Sequence, residues 1–318
     1  MKNLIVLLLL WNFTLLCHAH DGENFIASDM LKSMNGGDKA AILMVYFGST
    51  HDDTRALTID PLNQKVKELY KELEVRDAFT SRIIIRRLKE KGIEKQNPVD
   101  ALMKLKADGF THIVVQSANI IEGIEMESLR RDVAMMAKEF KDIRIGNPLL
   151  YTPEDYQAVI NALITGSEAN STSEISTTAT IWVGHGTYTP ATAQYTMLDY
   201  MLKAKRYGNY FVATIEGYPS LEDVMAQLEK SGAKKVILRP FLFVAGDHAK
   251  NDIAGDMKEE LEEKGYQVEV RMEGLGQDDN IRNIFIEHLR FSLHHKMQDI
   301  AEKKKQYETS SQKHEHHH

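Results

Sequence analysis

From residue 40 onward, short apolar runs alternate with longer segments whose apolar positions recur every three or four residues. Ala41 to Phe47 (AILMVYF) is an unbroken apolar run stopping at Gly48-Ser49-Thr50, as expected of a strand covered on both faces that ends in a tight loop. Periodicity and start signals predict helices over Pro61 to Leu73, Ser81 to Lys91, Pro98 to Asp108, Met126 to Phe140 and Pro153 to Ile164. Strands are predicted at Glu74 to Phe79, His112 to Gln116 and Ile143 to Leu150. Strands that alternate with helices of about ten residues or more require parallel pairing and right-handed crossovers. The predicted fold class is α/β.

The pattern starts again after a polar connection, Thr165 to Ser176 (TGSEANSTSEIS), which has no apolar face. Thr178 to Val183 runs into Gly184-His185-Gly186-Thr187, Tyr210 to Ile215 into Glu216-Gly217-Tyr218-Pro219, and Lys235 to Val244 into Ala245-Gly246-Asp247-His248. Tyr266 to Met272 supplies a fourth strand. Phe47-Gly48-Ser49-Thr50 lies under His185-Gly186-Thr187-Tyr188, and HIVVQSANIIEG lies under KVILRPFLFVAG. We therefore expect a duplication: a first α/β lobe over 38–165 and a second over 177–276, each with a parallel sheet, facing each other across a cleft. Asn280 to Lys304 reads as one long amphipathic helix, within a 279–305 segment that crosses back to brace the first lobe.

The two ends are different in kind. Residues 1–19 carry Lys2, an apolar run from Leu4 to Leu16 broken only by Asn12 and Thr14, and Ala19 at a cleavage-type position. The run is too short to span about 30 Å of hydrocarbon and fits the apolar region of an export signal, which predicts a periplasmic protein with no membrane span. Residues 306–318 are polar and end in His314, Glu315, His316, His317 and His318; such a tract can chelate a divalent ion, and it is given no catalytic role.

Composition narrows the chemistry. A net charge of −7 leaves no broad basic face for a phosphate backbone, so no nucleic-acid partner is expected. Cys17 is the single cysteine, which excludes internal disulfides, thiolate zinc sites and iron–sulfur clusters. Any metal must be held by imidazole and carboxylate.

Ligands of open parallel sheets collect beyond the carboxyl ends of the strands. In the second lobe those ends deliver His185, Glu216 and His248; the first lobe offers no equivalents, having Gly48, Thr80 and Glu125 where the second has Gly186, Glu216 and His248. Two imidazoles and a carboxylate suit a borderline divalent ion, Co²⁺, Ni²⁺, Fe²⁺ or Zn²⁺, and histidine can also accept protons near neutral pH. Across the cleft, Arg82 and Arg86 are four apart near a helix start and are positioned to grip carboxylates of an acidic ligand. Ser49, on the loop after the first strand, is a further candidate for binding the ligand, and His51 just beyond it is placed to reach the cleft. His112, His288, His294 and His295 read as structural or solvated.

The segments Gly184-His185-Gly186-Thr187, Thr214 to Ser220, Pro240 to Ala249 with Asn251-Asp252, and Arg76 to Ile85 resemble those of the anaerobic sirohydrochlorin cobaltochelatases. The resemblance runs from about Lys39 to Arg290 and implies two flavodoxin-like lobes that insert Co²⁺ into sirohydrochlorin without a nucleotide. By position it implies that His185 and His248 bind the metal and accept protons, that Glu216 is the carboxylate beside the metal, and that Arg82 orients the acidic tetrapyrrole's carboxylates. Two positions depart from the pattern: Asn119 and Thr189 stand where the family is expected to have histidine. The export signal is a further departure, since cobalt insertion for cofactor synthesis belongs in the cytoplasm. A non-catalytic carrier of metal or tetrapyrrole in an uptake route, and a flavin protein using the Ser/Thr-bearing loops, are the competing readings; whether the chain forms a homo-oligomer is left open.

Overall fold

The structure, a computed structural model, describes residues 24–165, 177–246 and 249–305. The expected export signal (1–19), most of the connection (166–176), His248 and the tail (306–318) lie outside the described residues.

The first sheet contains β2 (Ala40–Tyr46), β3 (Glu74–Phe79), β4 (His112–Ser117) and β5 (Asp142–Ile145), all parallel, in the order β3-β2-β4-β5. The second contains β6 (Thr178–Gly186), β7 (Tyr210–Glu216), β8 (Lys235–Pro240) and β9 (Gln267–Val270), also parallel, in the order β7-β6-β8-β9. Both have the doubly wound order 2-1-3-4, the flavodoxin-like arrangement that the family resemblance implied. A small antiparallel ribbon, β1 (Phe25–Ala27) with β10 (His295–Met297), joins the two ends of the described chain.

The helices are α1 (Asp52–Leu69), α2 (Arg82–Glu90), α3 (Pro98–Ala107), α4 (Ile124–Met136), α5 (Pro153–Thr165), α6 (Ala193–Ala204), α7 (Leu221–Ser231), α8 (Lys258–Glu263) and α9 (Asp279–His294). Strand alternation divides them into layers. Ile42, Met44 and Tyr46 of β2 and Trp182 of β6 face a central core filled by α1, α5, α6 and α9, which both lobes share. Ala41, Leu43 and Val45 face an outer core closed by α3 and α4. Ile181 and Val183 face a second outer core closed by α7, α8 and a π-helical stretch, Ala249–Met257. The lobes are thus fused through one apolar interior, with Phe243 5.6 Å from Tyr46 and 5.5 Å from Phe285, centroid to centroid.

Three expectations need correction. Helix α1 starts at Asp52, nine residues before the predicted Pro61, because Thr54 and Thr58 are buried and the Thr58 hydroxyl is satisfied by the Thr54 carbonyl (2.6 Å). Polar residues that bond within the helix mimic a solvated loop. The terminal helix does not run to Lys304. It stops at His294, where the buried Arg144 guanidinium takes the carbonyls of Ser292 and Leu293 (both 3.1 Å), and β10 follows. The strands expected to reach Leu150 and Val244 end at Ile145 and Pro240, the apolar residues beyond them being buried loop.

Candidate active site

In a 2-1-3-4 sheet the crevice opens where successive connections leave on opposite sides of the first strand. In the second lobe that point is the carboxyl end of β6, between β7 and β8. His185 is the penultimate residue of β6, and Glu216 ends β7 with its Cα in register with Gly186. The metal-competent residues named from the sequence at these two strands are therefore delivered to adjacent strand ends. Alternation sends His185 to the side of Val183 and Glu216 to the side of Thr214, so the two groups can share an ion only past the rim of the sheet.

Both glycines around His185 have a physical reason. A side chain at Gly184 would meet the Tyr195 ring at 2.2 Å, and one at Gly186 would meet the Glu216 carbonyl oxygen at 1.7 Å. Gly186 also adopts φ +84°, in the left-handed region that favours glycine. The Tyr195 ring lies on Gly184, and its hydroxyl accepts from the Gly186 N–H (3.4 Å), so one α6 residue holds both flanks of the histidine. Burial pushes the Tyr195 phenol up to about 12, so it remains a neutral support. Sequence reading missed Tyr195; the available signal was the Gly-His-Gly triplet, which announces a close approach from something else.

The His185 Nδ1 lies 3.3 Å from the Gly186 carbonyl oxygen. With Nδ1 donating there, the imidazole lone pair sits on Nε2, the nitrogen suited to an ion or a proton. His248 itself lies outside the described residues, but its chain neighbours Ala245 and Ala249 are buried in the same outer core as Val183. Among the described residues, no three His, Cys, Asp or Glu side chains stand grouped to hold a metal ion. Between the lobes, the start of α1 (Asp53, Thr54, Leu57) faces Ala245 and Lys250 across a cavity of about 310 Å³. Asp53 is held below the usual carboxylate range by the Thr54 N–H and, less strongly, by Lys250.

The strand-end rim is unusually apolar for exposed surface. Phe47 after β2, Ile83 in α2, Ile124 opening α4, Tyr188 after β6 and Tyr218 after β7 are all exposed, Tyr188 by 80%. Arg82 is the first residue of α2, whose N-cap Ser81 accepts from Ile84 N–H (3.4 Å); Arg82 and Arg86 are both exposed. Burial raises Asp132 of α4, and the charges of Arg82 and, less strongly, Arg131 oppose that rise. Ser49 is buried, with its hydroxyl accepting from His51 N–H (3.1 Å) and its carbonyl accepting from Arg55 (2.7 Å), so the loop after β2 is closed on itself. Asn119 accepts from Leu149 N–H through its carbonyl (2.9 Å), and Thr189 lies 3.2 Å from the Thr187 hydroxyl. Of the histidines read as structural or solvated, His288 and His112 are buried, His294 contacts Asp29 (3.3 Å) and His295 stacks on Phe291 (4.1 Å).

Two fused doubly wound lobes with one set of metal-competent strand ends make this a protein of the chelatase fold. Solved structures of that fold include SirB from Bacillus subtilis with Fe³⁺ (TM-score 0.55, 16% identity, 80% of this chain and 96% of that one). The structure of CbiX, described as the terminal enzyme for biosynthesis of siroheme in denitrifying bacteria, is a second (TM-score 0.51, 17% identity, 79% and 98%). The chain belongs to the cobalt chelatase (CbiK) family, whose model matches residues 40–294. It is 33% identical to the sirohydrochlorin cobaltochelatase of Salmonella typhimurium over 268 residues, 83% of this chain and all of that one. It is 30% identical to the sirohydrochlorin cobaltochelatase CbiKC of Nitratidesulfovibrio vulgaris over 257 residues, 79% and 89%.

Proposed function

We propose that this protein inserts a divalent metal ion, Co²⁺ foremost, into sirohydrochlorin or a closely related acidic tetrapyrrole without using a nucleotide. The observation that carries the reading is the register of β6 and β7, which brings the His185 and Glu216 strand ends side by side at the switch point of the second sheet. Metal insertion needs an ion that sheds water, a macrocycle that gives up two pyrrole N–H protons, and a surface that holds the ring against the ion. His185 and His248 would bind the ion and take the protons, with Glu216 offsetting its charge. The exposed Phe47, Ile83, Ile124, Tyr188 and Tyr218 offer apolar area to a flat ring, while Arg82 and Arg86 offer charge to its carboxylates.

We further propose export to the periplasm. The described fold starts with β1 at Phe25, so cleavage after Ala19 would leave every described element intact.

The test is the absorbance change when sirohydrochlorin meets Co²⁺ with and without protein. Acceleration is expected from the wild type, and its loss from His185→Ala and His248→Ala proteins that keep their circular dichroism. Unchanged rates in both variants would overturn the residue assignment. Tight stoichiometric binding without acceleration by the wild type would replace the enzyme with a carrier.

A further inference from the structure

The first turn of α6 touches both lobes. On one side, the Gln194 Oε1 accepts from the Glu122 N–H (2.8 Å) while its Nε2 donates to the Leu150 carbonyl (2.6 Å). Glu122 and Leu150 belong to the loops that follow β4 and β5, at the carboxyl ends of the first sheet. These loops are themselves joined, Leu149 and Leu150 donating to the carbonyls of Asn119 and Ile120 (both 2.9 Å), and Glu122 is anchored by Arg130 (2.9 Å). On the other side, the next residue, Tyr195, supports Gly184 and Gly186 and thus the strand end bearing His185.

From this juxtaposition we infer that Gln194 is a positioning residue, a polar clasp that sets the first lobe's strand-end loops relative to His185 and so fixes the width of the bay. The inference rests on the chelatase reading for what the bay holds. The buried contact between the lobes is otherwise a largely apolar core, whose attraction is non-directional; the amide of Gln194 is directional, with its acceptor and a donor committed to two different loops and a further hydrogen bond to Tyr156 of α5. A carboxylate at this position would keep the bond from Glu122 N–H but set an acceptor against the Leu150 carbonyl. A thioether would lose both bonds, and the one to Tyr156, at nearly constant volume.

The two substrates separate the clasp from general damage. The ion is held by second-lobe residues alone, whereas the macrocycle spans both lobes. Gln194→Met should therefore raise the KM for sirohydrochlorin about tenfold, the scale of one lost hydrogen bond to a committed partner, with the KM for Co²⁺ unchanged. Gln194→Glu should show the same split at pH 8. Relative to wild type at each pH, it should recover on acidification, because a protonated carboxyl again supplies one donor and one acceptor. Equal changes in both KM values, or in neither, would overturn the inference, as would a Gln194→Glu defect that ignores pH. Amide hydrogen exchange over residues 184–187 is a readout independent of turnover, and it should quicken in Gln194→Met. A wild type that does not accelerate insertion would remove the chelatase reading, and exchange unchanged by the variant would remove the clasp.

Discussion

Gly184→Ala is the sharpest single test of how the His185 strand end is built. The added methyl would stand 2.2 Å from Cε1, 2.7 Å from Cζ and 3.0 Å from Cδ1 of Tyr195. Carbon atoms pack at about 3.5–4.0 Å, so the ring must retreat by more than about 1 Å. Tyr195 is among the largest fully buried side chains and has packed neighbours in Leu198 and Leu202, so the retreat overpacks the central core at about 1–3 kcal/mol. It also draws the hydroxyl away from the Gly186 N–H, about 1 kcal/mol more, while the lower entropy of the unfolded alanine chain returns about 0.4–1 kcal/mol. The net expectation is a loss of about 1–3.5 kcal/mol, read from urea unfolding at constant m value. On the role proposed for His185, activity should fall further than stability explains, since a shift near 1 Å in a group that acts on the substrate can cost about a hundredfold in rate. In a Tyr195→Leu background the clash is relieved, and the coupling between the two substitutions should exceed about 1 kcal/mol. Additive effects, or a Gly184→Ala protein within about 0.5 kcal/mol of wild type, would refute this account of the glycine.

Two further substitutions probe the frame that carries the site. Arg144→Met strips the buried partner from Asp142 (2.7 Å) and from the carbonyls of Ser28, Ser292 and Leu293, and should cost about 3–5 kcal/mol in urea unfolding, with exchange quickening first in the last turn of α9 and in β1. Full retention of stability would show that the guanidinium is not the cap of α9. For Asp155, burial raises the carboxyl, but the bonds and charge from His288 (2.9 Å) and Thr152 outweigh it and hold the group below its ordinary value. A depressed folded pKa gives stability that is present above the unfolded value of about 3.9 and lost as pH falls through the lower folded one. The stability gap between wild type and His288→Gln should thus be wide at pH 6 and close progressively below about pH 4; a gap independent of pH would refute the pairing.

The parallel sheets were legible because a strand buried on both faces reads as a near-continuous apolar run, as β2 does along its length and β4 does over Ile113 to Val115. The first start of α1 was hidden by threonines that satisfy their hydroxyls within the helix, and Pro61, which reads as a start signal, sits inside it. The end of α9 was hidden for a different reason: its stop is a guanidinium donated by β5, far away in sequence. The loops after β5 and β8 read as strand because they are buried and apolar, yet they turn where side chains elsewhere require it. Gly146, for example, leaves room for Gln116, which would otherwise be met at 1.8 Å, and Gln116 in turn donates to the Asn147 carbonyl (3.0 Å). At the site, the strand-end residues His185 and Glu216 were visible as residues that interrupt apolar runs. Tyr195 and Gln194 were not, because an amphipathic helix predicts which face is buried and says nothing about which carbonyl or glycine lies beneath a given side chain.

On the proposed residue assignment, the duplication explains how the chemistry can occupy one lobe only. In both lobes a glycine with positive φ stands at or just beyond the end of the sheet's first strand, Gly48 two residues past β2 at +105° and Gly186 closing β6 at +84°. The space each glycine leaves is filled differently: the Phe79 ring stands 2.5 Å from a side chain built at Gly48, while the Glu216 carbonyl stands 1.7 Å from one built at Gly186. The same backbone device therefore closes an apolar strand end in the first lobe and draws a carboxylate-bearing strand end close to a histidine in the second. The residue before the glycine follows suit, an exposed Phe47 in one lobe where the other has His185. For a flat ring that must be gripped on its apolar surface and approached at its nitrogens by an ion, two copies of one scaffold with opposite strand-end chemistry are better suited than two identical ones. On this reading Phe47→Asp should weaken tetrapyrrole binding while leaving Co²⁺ binding as it is, the mirror of what His185→Ala should do.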